Sequence, residues 1–261
     1  MTTKTNLKQF FEESATFITC VKTGDFSQDN LYEIHLEILK IDGKKLEMIE
    51  PERFTADQYF NLCSAAIDQN GLAIEWVDVS IIGAELYQRL CRQAVKQNGI
   101  ALYYVKKEHF QTDQKTLRVI YNIAVSQNND ALQLIQDQTF ELCLMAVKHP
   151  STLQWVNPKL FSKEDYGEIC FTAFYQKRYL AVIERIIGDF PEIKHIQNYQ
   201  ALRFVNKDHL SPEKYKEICL LAIQYSSESL PFIDEVLWQD KDFCLEAVKL
   251  SKKSENYVKN N

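Results

Sequence analysis

Leu210-Ser211-Pro212-Glu213-Lys214-Tyr215-Lys216-Glu217-Ile218-Cys219-Leu220-Leu221-Ala222 reads as the opening of an amphipathic helix. Ser211 suits the N-cap, its hydroxyl accepting from a free backbone N–H of the first turn. Pro212 then takes the first helical position, where its missing N–H costs nothing. Leu210 before the cap and Tyr215 after it have the spacing of a hydrophobic staple. Tyr215, Ile218, Cys219, Ala222 and Ile223 fall on one helical face.

The frame recurs. Phe161-Ser162 leads to Tyr166, Ile169, Cys170 and Ala173, and Phe54-Thr55 leads to Tyr59, Leu62, Cys63 and Ala66. Phe110 with Thr112 is a degraded copy, shifted by one. Phe26-Ser27 opens the earliest copy, with His35 in the cysteine place, and Ile82-Gly83 opens the third. The spacings, about 20–30 residues, are those of helical-hairpin solenoids. Each copy reads as a first helix, a short Asn-Gly or Asp-Gly break, and a second helix ending in Leu-x-aromatic-Val. The glycine is expected to supply a positive φ at the first helix's C-terminus. One hairpin cannot bury its apolar face alone, and stacking does so. The fold class is therefore all-α, an α-solenoid of stacked hairpins with a TPR- or HEAT-like superhelix.

The organisation follows from the copies. Residues 1–25 hold an N-terminal capping helix, Asn6 to Lys22. Repeats occupy 26–187, a break at Gly188-Asp189-Phe190-Pro191 precedes further repeats over 188–250, and 251–261 is a polar tail expected to fray. Ala201 to Val205 reads as the end of a separate, partial copy.

The 261 residues carry a net charge of -6 and a pI near 5.5. That balance argues against a general nucleic-acid or acidic-membrane binder. With 46% hydrophobic and 25% charged residues the composition is globular, and seven Gly and six Pro suit helices with short loops. No stretch is long and apolar enough to span a bilayer. Met1 to Phe11 lacks a signal-peptide pattern.

Chemistry is sparse. Phosphate loops, dinucleotide fingerprints, zinc helices and nucleophile elbows are all missing from the sequence. Cys63, Cys91, Cys143, Cys170, Cys219 and Cys244 each stand three residues before a helical Ala, so all six read as small buried packing residues. Cys20 alone is out of register, and no spacing supports pairing it with His35 as a nucleophile. His109 and His209 share one repeat position and read as architectural; His149 and His195 lie near helix ends. Glu164, Asp165 and Glu168 sit in first turns, where they offset the helix dipole. No catalytic residue, metal ligand or cofactor is called. Trp76, Tyr104, Trp155, Phe204 and Phe232 all occupy the aromatic place of Leu-x-aromatic-Val. They pack between repeats, or they line a groove as anchors for a protein partner.

Ala94-Val95-Lys96-Gln97-Asn98-Gly99-Ile100-Ala101-Leu102-Tyr103-Tyr104-Val105 resembles a bacterial helical repeat of unknown function with an Ala-Val, Asn-Gly, Ala-Leu consensus. Ala124-Val125 with Asp130-Ala131-Leu132 is a looser match. Such repeats are frequent in Legionella. The resemblance implies a secreted effector, or a metaeffector (MesI-like) that binds and restrains another effector, made in the bacterial cytoplasm and translocated to a host cytosol. It brings no catalytic residues. The expected function is a non-catalytic protein-binding solenoid; the alternative is an effector enzyme whose site is assembled across repeats.

Overall fold

The computed structural model describes residues 27–174 and 198–258. These are helices and turns, with no strand among the described residues. The long helices are α1 (Gln28–Ile41), α2 (Ala56–Gln69), α3 (Val79–Gln97) and α4 (Gln114–Gln127) in one compact unit, Met1–Leu134. A second unit, Ile135–Asn261, holds α5 (Phe140–Ala146), α6 (Lys163–Phe174), α7 (Pro212–Tyr225) and α8 (Lys241–Leu250). The architecture is an all-α helical-repeat fold, as the recurring frame requires. The expected capping helix at Asn6–Lys22, Cys20, the Gly188–Pro191 break and His195 lie outside the described residues.

The caps follow the sequence closely. Ser27, Ser162 and Ser211 each accept from the N–H three residues on, and Thr55 forms a full capping box with Gln58. Two copies depart from the frame. Asp113, not Thr112, caps α4, accepting from Thr116 N at 3.0 Å. Gly83 holds the place of Thr55; its φ of 77° breaks α3 after a single helical turn.

In the first unit the second element of each hairpin is not an α-helix. It is a six-residue 3₁₀ helix: Gly43–Met48, Gly71–Trp76, Gly99–Tyr104 and Asn129–Leu134. The break residue sets it up, because Asp42, Asn70 and Asn98 accept with their side chains from the N–H two residues on. The 3₁₀ helices stack on one another beside the stacked long helices.

The glycines at the breaks do not serve the expected positive φ; among the described residues Gly83 alone has one. They serve close approach. A Cβ on Gly71 would stand 2.6 Å from the Ala94 carbonyl oxygen of the next helix, and Gly43 and Gly99 meet Ala66 and Ala124 in the same way. Each glycine N–H then donates to a glutamine ending the next long helix: Gly43 to Gln69 at 2.8 Å, Gly71 to Gln97 at 2.8 Å, Gly99 to Gln127 at 2.5 Å. Gln97 and Gln127 return a bond to the carbonyls of Gln69 and Gln97, both at 3.4 Å.

The staple tyrosine makes a second recurring tie. The ring is buried at Tyr59 and Tyr87 and half-buried at Tyr215, and the hydroxyl accepts the N–H that follows the 3₁₀ helix: Tyr59 from Asp78, Tyr87 from Lys106, Tyr215 from Asp234. The fifth copy has lost a turn of its helix, and α5 has only 7 residues. There Gln138 replaces the tyrosine, accepting from Asn157 N and donating to the Trp155 carbonyl.

This tie corrects the reading of the sixth copy. Partners are 19 residues apart at Tyr59, Tyr87, Gln138 and Tyr215, but Tyr166 accepts from Asn206, 40 residues on. Ala201 to Val205 is thus the second half of the sixth copy, not a separate one. The sequence between carries an excess of about 21 residues, far beyond an ordinary connection. The polar tail is also more than a tail. Ser254 is buried and donates to the Ala247 carbonyl at 3.1 Å, and Tyr257 stacks on Trp238 with centroids 5.3 Å apart. Residues 251–258 are the second half of a last repeat whose alanine has become serine.

Gly71→Ala is expected to cost about 2–3 kcal/mol, since a backbone carbonyl must move. Gly83→Ala has open space around its Cβ and pays for the backbone conformation alone, about 1–3 kcal/mol at a φ and ψ that only glycine favours. Urea unfolding of Gly71→Ala checks the close approach; a loss under about 0.5 kcal/mol would mean that it carries no weight.

Candidate functional site

The frame residues of the sequence are brought together as a core. Cys63, Cys91, Cys143, Cys170 and Cys219 are fully buried, and Cys244 is partly exposed. Burial pushes the Cys63, Cys91, Cys170 and Cys219 thiols up to about 12, partly offset by the hydroxyl of Tyr59, Tyr87, Tyr166 or Tyr215 one turn away. Burial alone raises Cys143 to about 12. The tyrosine hydroxyls are raised by burial as well. A thiol held neutral this way is a packing group and a poor nucleophile at neutral pH.

The histidines match their expected roles where they are described. His35 is buried in the cysteine place, Nδ1 2.7 Å from the Leu31 carbonyl, its ring edge-on to Phe54. His109 stands edge-on to Tyr87 at 5.5 Å. At the equivalent place, His209 Nδ1 is buried without a hydrogen-bond partner among the described residues. His149 is exposed beside Ser151.

The aromatic place recurs on the 3₁₀ helices within each unit. In the first unit Trp76 and Tyr104 are half-buried; in the second, Trp155, Phe204 and Phe232 are. Each is neither buried nor fully exposed. Arg203 caps the Phe232 ring at 5.4 Å from its centroid. Sequence reasoning missed Tyr103. It is 68% exposed and edge-on to Tyr104 at 5.0 Å. Its register position holds Glu75, Gln133, Gln154 or Arg203 in other copies, so an aromatic among polar residues was the available signal.

A cleft of about 440 Å³ opens between α6 and α7, lined by Lys163, Glu164, Glu168, Phe171, Ser211 and Lys214. Lys214 Nζ lies 4.9 Å over the Phe171 ring and pairs with Glu217 at 2.8 Å. Ser211 is engaged as a helix cap. Glu164 and Glu168 sit one turn apart on the exposed side of α6. Among the described residues no group of three or more His, Cys, Asp and Glu could hold a metal ion, and no helix is long and apolar enough to cross a membrane.

A family model described as a domain of unknown function (DUF4116) matches residues 215–259. The match runs from the staple tyrosine of α7 through the last 3₁₀ turn, Lys252–Ser254, and the short helix Glu255–Val258, so it covers both halves of the last hairpins. No curated protein and no solved structure matches the chain.

The raised thiols make stability fall in alkali. Their unfolded value is near 9.0 and their folded value about 12, so their contribution is complete below pH 9 and is lost as pH climbs toward 12. Urea midpoints are expected to hold steady up to about pH 8.5 and to drop above it; a midpoint flat to pH 11 would contradict the burial of the thiols. In the folded protein iodoacetamide is expected to label Cys244 well before Cys63 or Cys91, as peptide mapping would show.

Proposed function

We propose that the chain is a non-catalytic protein-binding repeat module, an effector or a regulator that binds and restrains another effector in a bacterial setting. The observation that carries the binding reading is the exposed Tyr103 beside half-buried Tyr104 on the 3₁₀ helices of the first unit, which also carry half-buried Trp76. Aromatic side chains give a partner large rigid contact area at little entropic cost. Acidic residues beside them, Glu75 in the first unit and Glu228 in the second, suit a partner of basic character. The buried neutral thiols favour the non-catalytic reading over one built on cysteine chemistry. The effector setting rests on the likeness of Ala94 to Val105 to repeats of intracellular bacteria.

Tagged wild-type and Tyr103→Ser proteins, passed through a lysate of the source bacterium and one of a eukaryotic host, test the reading. A stoichiometric partner recovered by the wild type is expected to bind the variant at least about tenfold more weakly. Equal binding by both proteins would remove this surface from the interface. A partner found in the bacterial lysate favours the regulator, and one in the host lysate favours the effector.

A further inference from the structure

In the first unit, α1 to α4 lie side by side and turn the same stripe outward, opposite the buried tyrosine, cysteine and alanine places. On α1 the stripe carries Asp29, Glu33 and Glu37, with Lys40 at its end paired to Glu37, and on α2 Asp57 and Asp68, all exposed. On α3 it changes sign. After Glu85, in the first turn past Gly83, come Arg89, Arg92 and Lys96, and α4 adds Lys115 and, at the edge of the stripe, Arg118. Among the described residues no ion pair joins the acidic half of this face to the basic half. The whole-chain charge of -6 hides the division.

A face that is acidic over two helices and basic over the next two is its own complement. Rotation by half a turn, about an axis lying in the face, parallel to the helices and between α2 and α3, lays α1 of one copy on α4 of the other. The same rotation lays α2 on α3. The helices of net negative charge then meet those of net positive charge, with Asp57 against Glu85 as the like-charged exception, which is the isologous arrangement of a two-fold dimer. We propose that this face is the interface between two copies of the chain. A polyanion such as nucleic acid would gain from α3 and α4 but meet repulsion from α1 and α2. The second copy satisfies both halves.

The size is adequate. Helices of 14 residues are about 20 Å long and pack roughly 9 Å apart. Four of them offer about 700 Å² per copy, near the usual share of a stable interface. Such an interface is polar and wet, so its specificity and its rate of formation come from charge and weaken as salt rises. This surface is separate from the aromatic series, and the dimer does not depend on the partner-binding reading.

Sedimentation velocity of the full chain at about 100 µM is expected to show a dimer in about 20 mM NaCl and a monomer in about 0.5 M. Lys115→Glu with Arg118→Glu sets acid against acid, and Glu33→Lys with Glu37→Lys sets base against base. Each double variant alone is expected to be monomeric at low salt. An equimolar mixture of the two is expected to regain the dimer, because each bears the complement of the other. Circular dichroism confirms that the exposed substitutions leave the helices intact. A wild type that stays monomeric at low salt, dimers in either variant alone, or a mixture that stays monomeric would overturn the proposal.

Discussion

The contact between a glycine and the end of the next helix governs the first unit. At Gly43, Gly71 and Gly99 the backbone runs against a helix-terminal carbonyl, closer than any side chain permits. The glutamine beside that carbonyl accepts the glycine N–H. A buried N–H without an acceptor costs about 1–3 kcal/mol, so each rung couples the position of one repeat to the next. The spacing of the long helices, the stacking of the 3₁₀ helices and the common outward stripe all depend on it. At Asn129 the glycine is gone, and that 3₁₀ helix is the last of the first unit.

The second unit uses the same frame with looser means. Thr152 and Ser254 donate their hydroxyls to the carbonyls of Ala146 and Ala247, where the first unit packs an alanine. Lys207 pairs with Asp234, and Lys216 reaches Asp240 at 3.1 Å. The persistent element is the tyrosine hydroxyl, or Gln138 in its stead, which closes every described hairpin of this unit but the last.

Much of the fold was legible because caps, staples and buried cysteines are local signals with one physical meaning each. The 3₁₀ helices were not, since six residues of Gly-x-Ala-Leu-x-aromatic satisfy a period of 3.0 as well as 3.6. The glycine role was misread because left-handed conformation and close approach select the same residue. The reach of Tyr166 to Asn206 was hidden because the register of a repeat is visible only through its partner. The last hairpin was taken for a tail because Ser254 and Glu255 replace the usual Ala-Leu. At the candidate site the aromatic register could be read, but not which ring stands free. The divided charge of the helix face disappeared in the chain total.

The long reach of Tyr166 also bears on how the chain folds. Elsewhere a hairpin closes over 19 residues, and this one closes over 40. Chain-closure entropy alone makes that step costlier by about 0.7 kcal/mol. Arrays of this kind nucleate wherever local contacts are cheapest and spread to their neighbours. The first unit, with only short closures and its glycine rungs, is the natural nucleus. The sixth repeat is the slow link, the point at which a folding wave moving along the chain must wait.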